Sequence, residues 1–131
     1  MFEGRTFDMD TFMNYPKCQR GWIGENGSGC ILTAALAAMG LKFGNCVHSR
    51  DSDTYTLLDS KTGLRVAIGS RSGYWAEDFS EFFDVGTTDI WHPYDNGEVS
   101  LSAERLFSAL RKKGMISFPA EFEINGVTCN V

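Results

Sequence analysis

A chain of 131 residues, 43% apolar and 22% charged, has the size and composition of one globular domain with a real core. Its formal net charge of −5 argues against a nucleic-acid phosphate backbone as the main partner. The longest apolar stretch, residues 30–41, is too short for a membrane span, and the opening MFEGRTFDMD lacks the basic and apolar regions of a signal peptide. The expectation is a cytoplasmic single domain over residues 1–131, away from membranes, with Cys18, Cys30, Cys46 and Cys129 as reduced thiols.

In chain order, residues 8–14 predict a short helix capped by Asp8 or Asp10, with Met9, Phe12 and Met13 on one side and Pro16 beyond its end. Residues 16–29 read as a glycine-rich loop holding Trp22. The segment from about 29 to 41 is apolar on nearly every face, which predicts a central helix covered on all sides. Residues 54–59 and 64–68 read as two strands joined by a turn at Ser60-Lys61-Thr62-Gly63.

Further along, residues 75–83 carry Ala76, Phe79, Phe82 and Phe83 at helical spacing, with Glu77, Asp78 and Glu81 outward. Trp91 to Gly97 reads as a turn-rich loop around Pro93. The next helix starts near Ser100, buries Ala103, Leu106, Phe107 and Leu110, and ends at Gly114. Asn125-Gly126, between Glu121–Ile124 and Val127–Cys129, predicts a C-terminal β-hairpin. The fold class is therefore α+β: a central apolar helix with two or three further helices on a small antiparallel sheet.

Cys30 raises the sharpest chemical question. It follows Gly27-Ser28-Gly29 and opens the apolar helix, a position where a helix N-terminus can stabilise a thiolate. A cysteine hydrolase would also need a histidine base and an orienting group, and His48 with Asp59 are the candidates, with Gln19 as oxyanion donor. In this set the chain resembles papain-like peptidases of the bacteriocin-processing type, in which Gln precedes a helix-start Cys and His then Asp follow on strands. The resemblance implies a hydrolase or transferase with Cys30 as nucleophile. The competing expectation is an inert cysteine at the buried start of the helix.

Cys18, Cys30, Cys46 and His48 are zinc-type ligands, but Cys46-Val47-His48 is the one close pair and the paired CxxC knuckles of structural zinc sites are missing. The glycines at 24–29 lack the Lys-Ser/Thr of a phosphate-binding loop. No metal and no cofactor is expected.

Trp22-Ile23-Gly24, Cys30-Ile31-Leu32-Thr33-Ala34-Ala35-Leu36 and Ile90-Trp91-His92-Pro93-Tyr94-Asp95 together resemble a family of small proteins of phages and bacteria, a domain of unknown function, over roughly residues 20–113. The resemblance implies a small accessory factor, phage-encoded, without bringing a reaction. The favoured expectation is a non-enzymatic inhibitor or accessory protein that covers a partner's basic surface. Its contact residues would be Trp75, Glu77, Asp78, Glu81, Trp91 and Tyr94.

Overall fold

The computed structural model describes residues 1–18, 30–48, 53–69, 75–116 and 121–130. The loop carrying Gln19, Trp22 and the glycines at 24–29 lies outside them, and of Cys46 and His48 the backbone alone is described. Among the described residues five helices and two antiparallel sheets make the fold α+β, as expected.

Helix α1 (Met9–Asn14) starts where the Asp8 carboxylate accepts from the Asp10 amide at 3.1 Å and the Thr11 hydroxyl at 2.7 Å. It stops at Tyr15 because the residue before a proline is driven out of the helical region. Lys17 then folds back: its ammonium donates to the Phe12 and Tyr15 carbonyls and stands 4.6 Å from the centre of the Phe12 ring. Carbonyls left open by a helix end thus find a cationic donor.

Helix α2 (Ile31–Ala38) is the centre of the molecule. Every residue but Ala37 is buried, as its unbroken apolar sequence predicts. Its end is held by the N-terminal segment. The Asp8 amide donates to the Ala38 carbonyl at 2.9 Å, and Arg5 donates to the Met39 carbonyl at 3.1 Å. Gly40, at φ +79°, turns the chain straight into a strand.

That strand, β1 (Leu41–His48), was not expected from the sequence. It pairs antiparallel with β2 (Asp53–Asp59), which pairs in turn with β3 (Arg65–Gly69), giving the order β1-β2-β3. The register of β1 on β2 shifts between Phe43 and Cys46. Gly44-Asn45 sits in that shift and breaks the two-residue alternation by which a strand is recognised. The inner face of the sheet presents Leu41, Leu57 and half-buried Phe43 and Ala67 to the core.

Helices α3 (Trp75–Phe83), α4 (Thr87–Asp95) and α5 (Val99–Lys112) follow. The expectation of a loop over 91–97 is corrected here, since α4 runs through Pro93. A proline inside a helix supplies no N–H for the carbonyl four residues back. That carbonyl is Asp89's, and the Arg105 guanidinium of α5 donates to it at 2.8 Å. At the next residue of α4, the Ile90 carbonyl accepts from the Ser102 hydroxyl of α5. Arg105→Ala is expected to lower stability by about 1 kcal/mol in urea unfolding. Pro93→Ala should erase most of that penalty by restoring the N–H; equal penalties in both backgrounds would refute the assignment.

Helix α5 buries Val99, Ser102, Ala103, Leu106, Phe107, Ala109 and Leu110 along one stripe. Its N-cap is Glu98 rather than the expected Ser100, and Gly114, at φ +66°, follows its end. The hairpin of β4 (Glu121–Ile124) and β5 (Val127–Asn130) turns at Asn125 and Gly126, both at positive φ, as the dipeptide predicts. It packs on α5 through Phe122, whose ring meets Phe107 edge-on at 4.8 Å. Beside α2 the described residues form four further helices, one more than the largest number expected. Among the described residues no helix is long and apolar enough to cross a membrane.

Candidate functional site: the acidic face of α3 and its grooves

Cys30 caps α2 with extended backbone, and its side chain makes no capping hydrogen bond. Only 2% of the residue is exposed, and its sulfur lies 3.5 Å from the Thr33 hydroxyl. Burial pushes the Cys30 thiol up, more strongly than the Thr33 hydrogen bond pulls it down. A catalytic thiolate needs the opposite environment.

The residues proposed to work with Cys30 are dispersed by the sheet. In the β1–β2 ladder Leu41 pairs with Asp59 and His48 with Asp53. At about 3.3 Å per residue, His48 and Asp59 therefore stand about 20 Å apart along the strands. Asp59 also lies at the far end of α2 from Cys30, where the neighbouring Ser60 amide donates to the Gly40 carbonyl at 2.8 Å. The carboxylate of Asp59 is fully engaged: it accepts from the Lys61 and Thr62 amides at 3.0 Å and pairs with Arg5 at 3.1 Å. The Thr62 amide first, and then Arg5, hold this carboxyl below the usual carboxylate range. Asp59 ties the β2–β3 turn to the N-terminal segment and does not orient His48. Gln19 is outside the described residues. Among those described, no group of three or more His, Cys, Asp or Glu is arranged to hold a metal ion.

Of the expected contact residues, Glu77, Asp78 and Glu81 are exposed on α3. Trp75 and Tyr94 are corrections, because both are fully buried. Trp75 belongs to the inward stripe of α3 with Ala76, Phe79 and Phe83, and its ring meets Phe43 of the sheet at 5.7 Å. Tyr94 points inward from α4, and its hydroxyl accepts from the Asn125 amide group at 3.0 Å. Burial pushes the Tyr94 phenol up to about 12. Trp91 is half-buried on α4 with its ring 5.8 Å from that of exposed His92.

Two shallow grooves flank the acidic face of α3. One, of about 400 Å³, lies between the helix and the N-terminus, with Met1, Phe2 and Glu3 on one side and Asp78, Glu81 and Phe82 on the other. Lys113 closes it, its ammonium 4.4 Å from the centre of the Phe82 ring. The other, of about 320 Å³, lies between α3 and β3. Sequence reasoning missed the first because nothing in MFEG predicts that Phe2 docks among Phe79, Phe82 and Phe83 at 5.6–6.0 Å. It missed the second because the alternation of 64–68 does not tell an edge strand from a central one.

The buried thiols and phenols set the response to alkali. Cys30, Cys129, Tyr15 and Tyr94 all have folded-state values raised by burial. Each contributes stability that is complete below its unfolded value, about 8.5 for Cys and about 10 for Tyr, and is lost as pH rises through its folded value. Lys17 works in the other direction. Burial lowers it to about 8, so it favours folding as pH rises from there to its unfolded value of about 10.4. Among the described residues four such groups oppose one, and thermal unfolding followed at pH 7.5, 9.5 and 11 should show a falling midpoint; a rise would contradict the burial of these groups.

Compared with known proteins, the chain matches no family model, no curated protein and no solved structure.

Proposed function

We propose that this protein is a small acidic binding factor that docks on a basic surface of a partner protein through the exposed face of α3 and acts by occupying that surface. The observation that carries the reading is the split of α3 into two faces. Trp75, Ala76, Phe79 and Phe83 lock one side into the core, and Glu77, Asp78 and Glu81 stand exposed on the other. Carboxylates on a helix that is itself immobilised lose little conformational freedom on docking, beyond that of their own side chains. Half-buried Phe82 beside them offers apolar contact area next to the charge. Such a surface steers a basic partner and fixes its register.

The family resemblance supports a phage accessory setting, in which the occupied surface belongs to a host defence protein. The burial of Cys30 and the separation of Asp59 from both His48 and Cys30 support a role without covalent chemistry. The test is capture from a lysate of the cells in which the protein acts. Glu77→Lys, Asp78→Lys and Glu81→Lys combined should reduce recovery of the wild-type partner at least tenfold at physiological salt. Unchanged recovery would sink the α3 assignment.

A further inference from the structure

The sheet ends at β3. In the order β1-β2-β3, one edge of β3 is paired through Tyr55↔Gly69, Thr56↔Ile68 and Leu57↔Ala67, and its other edge carries no strand among the described residues. Natural proteins usually blunt such an edge with Lys, Pro or a covering element. Here Val66 is 39% exposed, Ile68 41% and Leu64 67%. The groove between β3 and α3 is lined by Val66, Ala67 and Ile68, three consecutive residues, so it runs along the strand edge rather than over one face. Trp75 forms its floor, and Glu77 and Asp78 line it from α3.

We propose that the open edge of β3 and the groove beside it take an extended segment of the partner protein as an added strand, a segment that alternates apolar side chains with Lys or Arg. This rests on the reading that the acidic face of α3 meets a basic partner, and it names the form in which the partner arrives. Strand addition supplies main-chain hydrogen bonds from the edge, and alternate side chains supply selectivity. One set of side chains packs on Val66 and Ile68 at the exposed face of the sheet, and the other lies over Ala67 and the Trp75 floor and reaches Glu77 and Asp78. The register shift between Leu57 and Leu58 skips Val66, so the regular ladder covers Ala67–Gly69 and the added strand pairs along that stretch, with Val66 at its end. Arg65, exposed at the start of β3, lies beyond the register shift from the regular ladder. A second copy of the chain fits the edge less well, because it brings a net charge of −5 and its own Glu77 and Asp78 against the same residues.

The test uses a random dodecapeptide library displayed on phage, selected against the intact protein at physiological salt. The selected peptides should alternate apolar residues with Lys or Arg, and a synthetic copy should shift the backbone amide signals of Val66–Ile68 in NMR titration. Val66→Lys/Ile68→Lys and Glu77→Lys/Asp78→Lys should each weaken that peptide at least tenfold, and Glu81→Lys, outside the groove, less than threefold. Should the lysine pair unfold the protein, Val66→Thr/Ile68→Thr replaces it, with at least a threefold loss expected. No enrichment, peptides without basic residues, shifts confined elsewhere, or equal binding to the β3 variant would each overturn the proposal. So would a dimer in sedimentation that Val66→Lys/Ile68→Lys dissolves, since the occupant would then be a second copy. The β3 variant keeps all three α3 carboxylates. If it captures the partner like wild type and the triple α3 reversal does not, strand addition is wrong and the acidic face stands. If the triple reversal also captures normally, both are wrong.

Discussion

Phe107→Ala is expected to lower the unfolding free energy by about 3–5 kcal/mol, the range for a fully buried phenylalanine cut to its Cβ. Phe107 is where three parts of the chain meet. Its ring lies 5.3 Å from Phe12 of α1, 6.3 Å from Phe7 and 4.8 Å from Phe122 of the hairpin, each pair close to edge-on. Contacts of this geometry contribute about 0.5–1.5 kcal/mol each beyond the area they bury. Truncation therefore removes the joint between α1, α5 and the β4–β5 hairpin. Urea unfolding followed by tryptophan fluorescence measures it, and a loss below about 1 kcal/mol would mean that the aromatic joint is not closed in solution.

Iodoacetamide should alkylate Cys30 at neutral pH at least about a hundredfold more slowly in the folded protein than in the unfolded one. The sulfur is shut in the core and its thiol is raised by burial, so reaction needs an opening that draws on the stability of α2. Half-exposed Cys18 supplies the internal comparison and should react first. Peptide mass spectrometry of a labelling time course separates the two. Modification of Cys30 as fast as Cys18 in the native state would restore the nucleophile reading and contradict the packing around Thr33.

Much of the fold was legible where local chemistry and burial agree. The unbroken apolar run from Ile31 predicts a helix covered on all sides, and Asn125-Gly126 predicts the tight hairpin. Two elements were hidden by residues that break a local rule and are compensated at a distance. Gly44-Asn45 masks β1 because the ladder absorbs the irregularity in its register shift. Pro93 masks α4 because Arg105, twelve positions away, satisfies the carbonyl that proline leaves open. Neither compensation can be read from the segment itself.

The candidate site was legible in half. Glu77, Asp78 and Glu81 follow directly from the outward phase of α3. Trp75 reads as a contact residue beside them because aromatic residues favour both cores and contact surfaces, yet Trp75, Phe79 and Phe83 recur every four residues, which is the phase of the buried stripe. Tyr94 reads as exposed for the same reason that α4 reads as loop: Pro93 hides the helix that turns it inward. Phe2 and the edge of β3 could not be found locally, because what makes each a groove wall is the approach of α3.

A rigid acidic face, rather than a thiol or acidity in general, is what we propose the protein presents to its partner. The direct measurement compares partner recovery by wild type, by Glu77→Lys/Asp78→Lys/Glu81→Lys, and by Glu104→Lys/Glu121→Lys/Glu123→Lys, which changes net charge equally at exposed positions on α5 and β4. The predicted result is at least a tenfold loss in the first variant and less than a twofold change in the second. Equal losses in both, or none in either, would contradict it.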